Sequence, residues 1–284
     1  MCGQKRKSAM GIVIISGMIQ VLVCGAAGRM GREVVKAVAL DPEVQLAGAV
    51  DKHEVGRDAG ELAGLGKAGI AVANDLASEL SRLKPAVAVD FSTPNSVRAN
   101  IQTMLDAGVC PVVGTTGLKE SDLSEIDAAS KRAGVPVFIA PNFAIGAVLM
   151  MRFAQQCSKF FDSAEIIEYH HDQKVDAPSG TAFKTALLMR EARGRDFERV
   201  GGDAESEGST APHARGGEIG GTSIHSVRLA GYLAHQEVIF GMAGQTLSIR
   251  HDTITRECYM PGVLRAIKAV QGLQGLTYGL EKIL

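Results

Sequence analysis

The sequence lacks the features that would point to a nucleic acid, an anionic membrane or a disulfide scaffold. Its 30 Lys and Arg residues nearly balance 31 Asp and Glu residues, so the net charge of -1 gives no reason to expect a polyanionic partner. The five cysteines are dispersed and include no C-x-x-C pair, which argues against a disulfide framework or a structural zinc site. This pattern predicts a reducing, cytoplasmic environment and a protein that needs no metal.

Tryptophan is absent altogether, whereas glycine is abundant, with 33 residues among 284. Such a glycine content suits a chain with many tight turns and close approaches of backbone. The length accommodates one large domain or two ordinary domains, each with an ample core.

An apolar run near the N-terminus, from Ala9 to Val23, follows three basic residues and resembles a secretory signal. Two observations oppose this interpretation. Val23 stands where signal cleavage requires a small residue, and cleavage there would remove a strand that the following loop needs. We therefore expect residues 1–18 to be a dispensable leader and the folded protein to begin at Ile19.

A strand, a glycine turn and a helix follow one another at the start of the predicted fold. The apolar run Ile19 to Val23 leads into a G-x-x-G-x-x-G turn, and helical periodicity extends from about Arg29 to Leu40. The turn alone could be structural, but the next strand, Gln45 to Val50, ends at Asp51, whose carboxylate can accept from ribose hydroxyls. Together they predict a dinucleotide site with the pyrophosphate at the helix N-terminus. The predicted contacts are Gly25, Ala26, Ala27, Gly28, Arg29, Met30 and Asp51.

Short apolar strands alternate with helices as far as residue 142, which predicts a Rossmann-type, doubly wound parallel sheet. Gly56 to Gly69 is expected to be irregular, and Thr93-Pro94 is expected to begin a helix. Three turns follow strands at the edge where such sheets bind ligands: Asp90–Thr93, Gly114–Gly117 and Ala140–Phe143. Any one could be a plain turn, but three on one edge favour a cofactor site. The residues predicted to contact the cofactor there are Phe91, Gly114, Thr115, Thr116, Ala140, Asn142 and Phe143.

The pattern changes at Ala144. One long helix is expected from Ala147 to Phe161, with Cys157 buried and inert inside it, and a mobile surface loop is expected from Arg193 to Gly208. Three alternating strands, Ser223–Leu229, Glu237–Gly241 and Gln245–His251, predict a second α+β domain with a mixed, largely antiparallel sheet. A terminal helix, Pro261–Val270, should return to the first domain. The predicted division is a dinucleotide-binding domain of residues 19–142 and 254–284, and a substrate-binding and oligomerisation domain of residues 143–253.

The segment from Glu165 to Ala182, EIIEYHHDQKVDAPSGTA, carries the densest chemistry of the chain. A strand delivers His170 and His171, Lys174 follows, and a helix opens at Ser179-Gly180-Thr181. Nitrogen-bearing side chains just before a helix N-terminus predict a site for a carboxylate-bearing substrate with a proton donor beside it. Taken singly, the parts also have structural interpretations: a histidine pair that caps a strand, an exposed lysine and a helix N-cap.

The order E-x-x-E-x-H-H-x-x-K-x-D-A-P-S-G-T-A resembles the signature of the 4-hydroxy-tetrahydrodipicolinate reductase family of the diaminopimelate and lysine pathway. The resemblance runs from about Ile19 to the C-terminus and includes the family's G-x-x-G-R-M-G loop, G-T-T-G turn and R-G-G-x-I-G segment. It implies NAD(P)H-dependent reduction of 4-hydroxy-2,3,4,5-tetrahydrodipicolinate to tetrahydrodipicolinate, and a homotetramer built through the second sheet. The chain departs from the family pattern at the leader, at Ala27, at Asp172-Gln173 and in the charged stretch near 194–213.

The implied reaction assigns roles to the motif. His170 is the expected proton donor, because imidazole titrates near working pH. Lys174 and the helix start at Ser179, Gly180 and Thr181 are the expected carboxylate anchors, with His171 assisting. The resemblance adds Lys52 and Arg256 to the cofactor contacts. We expect dual use of NADH and NADPH that leans to NADH, because the carboxylate of Asp51 repels a 2′-phosphate.

The sequence leaves two alternatives to the reductase function. A semialdehyde dehydrogenase needs a nucleophilic cysteine at a helix start in the second domain, whereas Cys157 is predicted in mid-helix. A redox-sensing module without turnover would have no use for the HHxxK and SGT groups. A turnover assay with NADH and the cyclic dicarboxylate separates all three functions.

Overall fold

The computed structural model describes residues 17–198 and 214–284. The chain divides into two compact units, one of Met1–Phe143 with Tyr259–Leu284 and the other of Ala144–Cys258. The predicted leader comprises residues 1–18, and residues 1–16 of it lie outside the described part of the chain. None of the described helices is both long enough and apolar enough to span a lipid bilayer.

The described helices and strands follow the chain in this order. Up to residue 143 they are β1 Ile19–Cys24, α1 Arg29–Leu40, β2 Val44–Val50, α2 Ala59–Leu62, β3 Val72–Ala73, α3 Leu76–Leu83, β4 Val87–Asp90, α4 Val97–Asp106, β5 Cys110–Val113, α5 Glu120–Ala133 and β6 Val137–Ile139. From 144 to 258 they are α6 Ile145–Cys157, β7 Ser163–His170, α7 Gly180–Arg193, β8 Gly217–Ile219, β9 Thr222–Arg228, β10 Ala234–Met242 and β11 Gln245–Thr253. The last two are α8 Met260–Val270 and β12 Leu276–Tyr278.

The first unit is built on a parallel sheet. Among the described residues it has seven strands in the order β12-β6-β5-β4-β1-β2-β3, and every neighbouring pair is parallel. The central strands are covered on both faces, which explains their continuous apolar sequences: Val21, Leu22 and Val23 of β1 are completely buried. The strand order reverses between β1 and β4, the place where such sheets bind ligands. The predicted doubly wound sheet is thus confirmed.

Three local predictions for the first unit are wrong. The stretch expected to be irregular contains α2, because the Asp58 side chain caps it by accepting from the backbone N–H groups of Gly60 and Glu61. The helix expected at Thr93-Pro94 begins at Val97, because the Thr93 carbonyl accepts from the N–H groups of Ser96 and Val97, each at 3.0 Å, and forms a turn instead. The helix predicted to be terminal is present as α8, but it is followed by a strand, β12, which pairs with β6 at the edge of the sheet.

The second unit is built on a mixed sheet. Among the described residues it has five strands in the order β11-β10-β7-β9-β8, with β7 and β9 parallel and the other pairs antiparallel. Side chains alternate across the sheet, so that Ile166, Val238 and Phe240 lie on one face and are completely buried. They pack in one core cluster with residues of α6 and α7, including Ala154 and Met189. The predicted mixed, largely antiparallel sheet is confirmed.

The predicted long helix of the second unit ends early. Helix α6 stops at Cys157, and the Arg193 side chain then donates to the carbonyl of Ser158 at 2.9 Å and to that of Phe161. Cys157 is therefore the last residue of the helix and is half-buried, not buried within it. The expected surface loop is anchored at its start, because Phe197 is buried with its ring centroid 6.4 Å from that of Phe240. The rest of that loop, from residue 199 on, lies outside the described residues.

Candidate active site

Two glycines at the turn from β1 to α1 lie where a side chain would clash with the backbone. Gly25 has φ +78°, and a Cβ at this position would lie 2.5 Å from the carbonyl oxygen of Phe91. A Cβ on Gly31 would lie 1.9 Å from the carbonyl oxygen of Gly25. Gly28 is the N-cap of α1 and has extended backbone, so the helix begins with the exposed Arg29. The loop therefore presents backbone and a helix N-terminus, as a pyrophosphate requires.

Asp51 lies against this loop. Its Oδ2 accepts from the backbone N–H of Ala27 at 3.0 Å, and its Oδ1 accepts from that of His53 at 2.9 Å. Lys52, the next residue, is exposed. A glycine loop, a helix N-terminus and a carboxylate at the end of β2 are the groups that a nicotinamide dinucleotide needs, so the residues present fit this cofactor.

A buried carboxylate organises the neighbouring edge of the sheet. Asp90, at the end of β4, is completely buried and accepts hydrogen bonds from three different segments. The donors are Ser92 (N–H at 3.0 Å and hydroxyl at 2.8 Å), Asn100 Nδ2 (2.7 Å) and Thr115 Oγ1 (2.6 Å). Asp90 thus fixes the turns after β4 and β5 to helix α4. The sequence predicted these turns but not the residue that holds them.

The predicted cofactor residues at this edge differ in exposure. The Phe91 ring lies against Gly114, since a Cβ there would come within 2.2 Å of it, and its centroid is 5.9 Å from that of Phe143. Thr115, Ala140 and Phe143 are buried, whereas Thr116 is exposed and Asn142 is half-buried. Arg256 begins a short 3-10 helix, Arg256–Tyr259, and lies in the second unit, whereas the sequence assigned it to the first domain.

The second unit brings the residues of the histidine motif together. His170 is the last residue of β7, and its register partner on β9 is Arg228. His171 and Lys174 form the following turn, in which the Lys174 N–H donates to the His171 carbonyl at 3.2 Å. Ser179 is the N-cap of α7 and accepts from the N–H of Ala182 at 3.2 Å, so Gly180 and Thr181 are the first helical residues.

Glu168 joins these parts and was missed by the sequence analysis. It is completely buried, and its Oε2 lies 2.5 Å from Nδ1 of His170. Arg228 donates to both of its oxygens, at 2.8 and 2.9 Å, and the Ser179 N–H donates to Oε1 at 3.1 Å. The signal was present, because residues two apart on a strand share a face, which places Glu168 beside His170.

The charge of Glu168 follows from its partners. Burial by itself raises the pKa of this carboxyl, but hydrogen bonds from His170, Arg228, Ser226 and the Ser179 N–H outweigh burial and lower the pKa to about 2. Glu168 is therefore ionised at neutral pH and can only accept hydrogen bonds. Nδ1 of His170 must carry the proton that joins them, and Nε2 is the nitrogen left for chemistry.

Lys174 is held at its ammonium end and through its backbone. Its Nζ donates to both oxygens of Asp176, at 2.7 and 2.9 Å, and this hydrogen bond lowers the pKa of Asp176. The guanidinium of Arg228 donates to the carbonyls of Lys174 and Asp176, at 3.3 and 2.6 Å. The Arg228 side chain, which is paired with the buried Glu168, thus also holds the loop that contains Lys174.

The cysteines among the described residues are poorly placed for nucleophilic chemistry. Burial raises the pKa of the Cys24 and Cys110 thiols, and Cys157 ends α6 rather than beginning a helix. Within the described part of the chain, no group of three or more His, Cys, Asp or Glu side chains is arranged to hold a metal ion. The fold and the two sites together define a class, a two-domain, nicotinamide-dependent oxidoreductase.

Comparison with protein families narrows this class. The family model for the N-terminus of dihydrodipicolinate reductase matches residues 19–143, and the model for its C-terminus matches residues 146–284. The chain belongs to the dihydrodipicolinate reductase family. It is accordingly an NAD(P)H-dependent reductase of diaminopimelate and lysine biosynthesis.

Individual relatives resemble the chain over nearly its whole length. The 4-hydroxy-tetrahydrodipicolinate reductase of Desulfitobacterium hafniense (strain DSM 10664 / DCB-2) is 48% identical over 274 residues, which cover 94% of this chain and 98% of that relative. The enzyme of the same name from Moorella thermoacetica is 47% identical, with the same coverage. The structure of dipicolinate-bound dihydrodipicolinate reductase from Paenisporosarcina sp. TG-14 is 40% identical, with a TM-score of 0.82, and covers 94% of this chain and 100% of that chain.

Proposed function

We propose that this chain reduces 4-hydroxy-tetrahydrodipicolinate to tetrahydrodipicolinate with NADH or NADPH, and that His170 supplies the proton. Membership of the dihydrodipicolinate reductase family supports the assignment of this reaction. The observation that supports the assignment of His170 is its 2.5 Å contact with the buried carboxylate of Glu168, which orients the ring and leaves Nε2 for the substrate.

The reaction needs a hydride, a proton and anchors for two carboxylates. A bound nicotinamide supplies the hydride for the conjugated carbon. When protonated on both nitrogens, His170 donates from Nε2 to the adjacent centre. Lys174 binds one carboxylate after leaving Asp176, and the backbone N–H groups of Gly180 and Thr181 at the start of α7 bind a carboxylate, assisted by Ser179 and His171. The dipicolinate bound to the Paenisporosarcina relative is itself a small dicarboxylate, which supports this choice of substrate.

The kinetic roles of His170 and Lys174 provide the test. His170→Ala should lower kcat by about a hundredfold to ten-thousandfold, with a smaller change in KM, because general acids contribute on that scale. Lys174→Ala should raise the substrate KM as well as lower kcat, because anchoring energy also positions the reacting carbon. Neither change should alter NADH affinity or solubility. A purified, folded His170→Ala variant with unimpaired kcat would remove the assignment of the acid.

The first unit is the proposed dinucleotide-binding domain, and the second is the proposed substrate domain. The proposed cofactor contacts are Gly25, Ala26, Ala27, Gly28, Arg29, Met30, Asp51, Lys52, Phe91, Gly114, Thr115, Thr116, Ala140, Asn142, Phe143 and Arg256. Asp51 favours NADH because its carboxylate repels a 2′-phosphate, while the exposed Lys52 and Arg29 offset part of this repulsion. Comparison of kcat/KM for NADH and NADPH tests this preference. A preference for NADPH above about a hundredfold, roughly 2.7 kcal/mol, would overturn it.

The second sheet is also the proposed assembly surface of a homotetramer. Its helix-covered face is the core described above, and the opposite face carries half-buried apolar side chains such as Ile167 and Ile239 at alternate positions. The family resemblance is the main support for this proposal.

A further inference from the structure

One buried ion pair contacts three parts of the proposed substrate site, which are His170, the loop of Lys174 and the start of α7. Glu168 is completely buried, and the Arg228 side chain is 18% exposed. The two are joined by parallel hydrogen bonds of 2.8 and 2.9 Å, a bidentate geometry that fixes the guanidinium plane relative to the carboxylate. Desolvation offsets much of the attraction within such a pair, so its contacts with the site residues say more about its role than the pairing itself does.

Other hydrogen bonds of the pair reach three separate parts of the site. Glu168 Oε2 contacts Nδ1 of His170, and Oε1 accepts from the N–H of Ser179 at the start of α7. Arg228 holds the loop through the carbonyls of Lys174 and Asp176. The acid, the lysine and the helix start therefore meet at one carboxylate and one guanidinium.

We propose that the Glu168–Arg228 pair is the positioning device of this site. The carboxylate fixes the ring of His170 with its Nδ1–H directed inward, and the guanidinium fixes the loop of Lys174. This inference rests on the proposed function of His170 and Lys174. Neither Glu168 nor Arg228 touches the reacting atoms, so both act through the residues that they orient.

The carboxylate charge, and not only its shape, is required. Both oxygens of Glu168 receive two donors each: His170 and Arg228 on Oε2, and Ser179 and Arg228 on Oε1. An amide has one accepting oxygen, so Glu168→Gln directs an N–H₂ group at donors on one side. It also removes the carboxylate that accepts from Nδ1 of His170.

Glu168→Gln should therefore show two changes that a merely structural role would not produce. The preference of neutral His170 for a proton on Nδ1 should be lost, because an amide N–H₂ group facing that nitrogen cannot accept its proton. At the optimum, kcat should fall about tenfold to a hundredfold, less than in His170→Ala. NADH affinity should stay the same.

Arg228→Lys tests the second part of the proposal, that the guanidinium positions the loop of Lys174. Lysine keeps the positive charge beside Glu168, but it lacks the planar set of N–H donors that binds the carbonyls of Lys174 and Asp176. The substrate KM should rise about tenfold, while neutral His170 keeps its proton on Nδ1.

Glu165→Gln is the matched control. Glu165 lies on the same strand and contacts a histidine and an arginine, His225 at 2.8 Å and Arg215, but it points to the opposite face of β7. Its kcat and its His170 tautomer should match the wild type when the variants are compared at equal oligomeric state.

The tautomer of His170 can be measured without turnover. Side-chain ¹⁵N chemical shifts of the wild-type protein should show neutral His170 with its proton on Nδ1, and Glu168→Gln should lose this preference. A wild-type ring protonated on Nε2 would overturn the inference even if Glu168→Gln failed to fold. An unchanged His170 tautomer in folded Glu168→Gln, with the kcat of His170→Ala impaired, would also overturn it while leaving the proposed acid in place. Normal kcat in His170→Ala would instead refute the proposed function.

Discussion

The Lys174 ammonium contacts the Asp176 carboxylate, which a bound substrate carboxylate would have to displace. The ammonium donates to both carboxylate oxygens, but the Asp176 side chain is 62% exposed. Exposed ion pairs contribute little, about 0 to 1 kcal/mol, because solvent screens them. The pair therefore competes only weakly with a substrate carboxylate.

Asp176→Asn should accordingly lower the substrate KM by about two- to fivefold, with little change in kcat, because Lys174 no longer leaves an anion on binding. Steady-state kinetics measure this, with Asp172→Asn, an exposed carboxylate of the same loop, as the control. A rise in KM would mean that Asp176 orders Lys174 instead of competing for it.

Glu168 gives the second unit a stability that depends on pH. Its pKa is lowered from 4.5 to about 2, because the hydrogen bonds from its partners outweigh burial, which raises it. A folded-state pKa below the unfolded value contributes stability above the unfolded value, and this contribution is lost as pH falls through the folded value. The window is thus about pH 4.5 to about 2, and a shift of this size corresponds to roughly 3 kcal/mol.

Between pH 6 and about 3, the wild-type unfolding free energy should therefore fall more steeply than that of Glu168→Gln, which has no carboxyl to protonate. Urea denaturation at a series of pH values, on both proteins, measures the difference in slope. Parallel slopes would contradict the assignment of a depressed pKa.

At the scale of elements, the turn from β1 to α1 depends on backbone contact. Gly31 lies where a Cβ would meet the Gly25 carbonyl at 1.9 Å, so any side chain must displace the loop. Gly31→Ala should raise the Kd for NADH at least about tenfold, or 1.4 kcal/mol. Fluorescence titration measures this, and Gly272→Ala is the control, because a Cβ there would meet nothing closer than 3.6 Å. Equal NADH affinity in the two variants would refute the role of the loop.

Element boundaries show where local sequence signals compete. Val97, not Thr93, begins α4 because hydrogen bonds to the Thr93 carbonyl form a turn before the helix. Helix α6 ends at Cys157 because Arg193, the last residue of α7, donates hydrogen bonds to the carbonyls of Ser158 and Phe161 just beyond it. The first effect is local and is encoded in the T-P-N-S stretch, whereas the second depends on a residue 35 positions away.

At the scale of the whole molecule, assembly is the property to measure. A homotetramer of the 29.9 kDa chain should sediment at about four times that mass at micromolar concentration, and a monomer would contradict the proposal. Ile239→Glu places a charge on the face of β10 opposite Val238 and Phe240, and it should yield smaller species. Lys67→Glu, an exposed charge change in the first unit, should leave the mass unchanged.

The sequence alone determined the architecture of both sheets and the identity of the histidine motif. Buried parallel strands are apolar throughout and half-covered strands alternate, so each sheet type leaves a local signal. The motif is likewise local, since His170, Lys174 and Gly180 lie within eleven consecutive residues.

The contacts that hold this motif in place come from distant parts of the chain and follow from the fold. Glu168 and Arg228 are 60 residues apart and meet because β7 and β9 are neighbours, and Asp90 meets Thr115 across 25 residues because β4 pairs with β5. The three-residue strand β12 is too short to show a period, and it forms because β6 offers it an edge. A buried carboxylate satisfies its hydrogen bonds with whichever donors the fold brings to it, and strand pairing, which local periodicity does not encode, selects those donors.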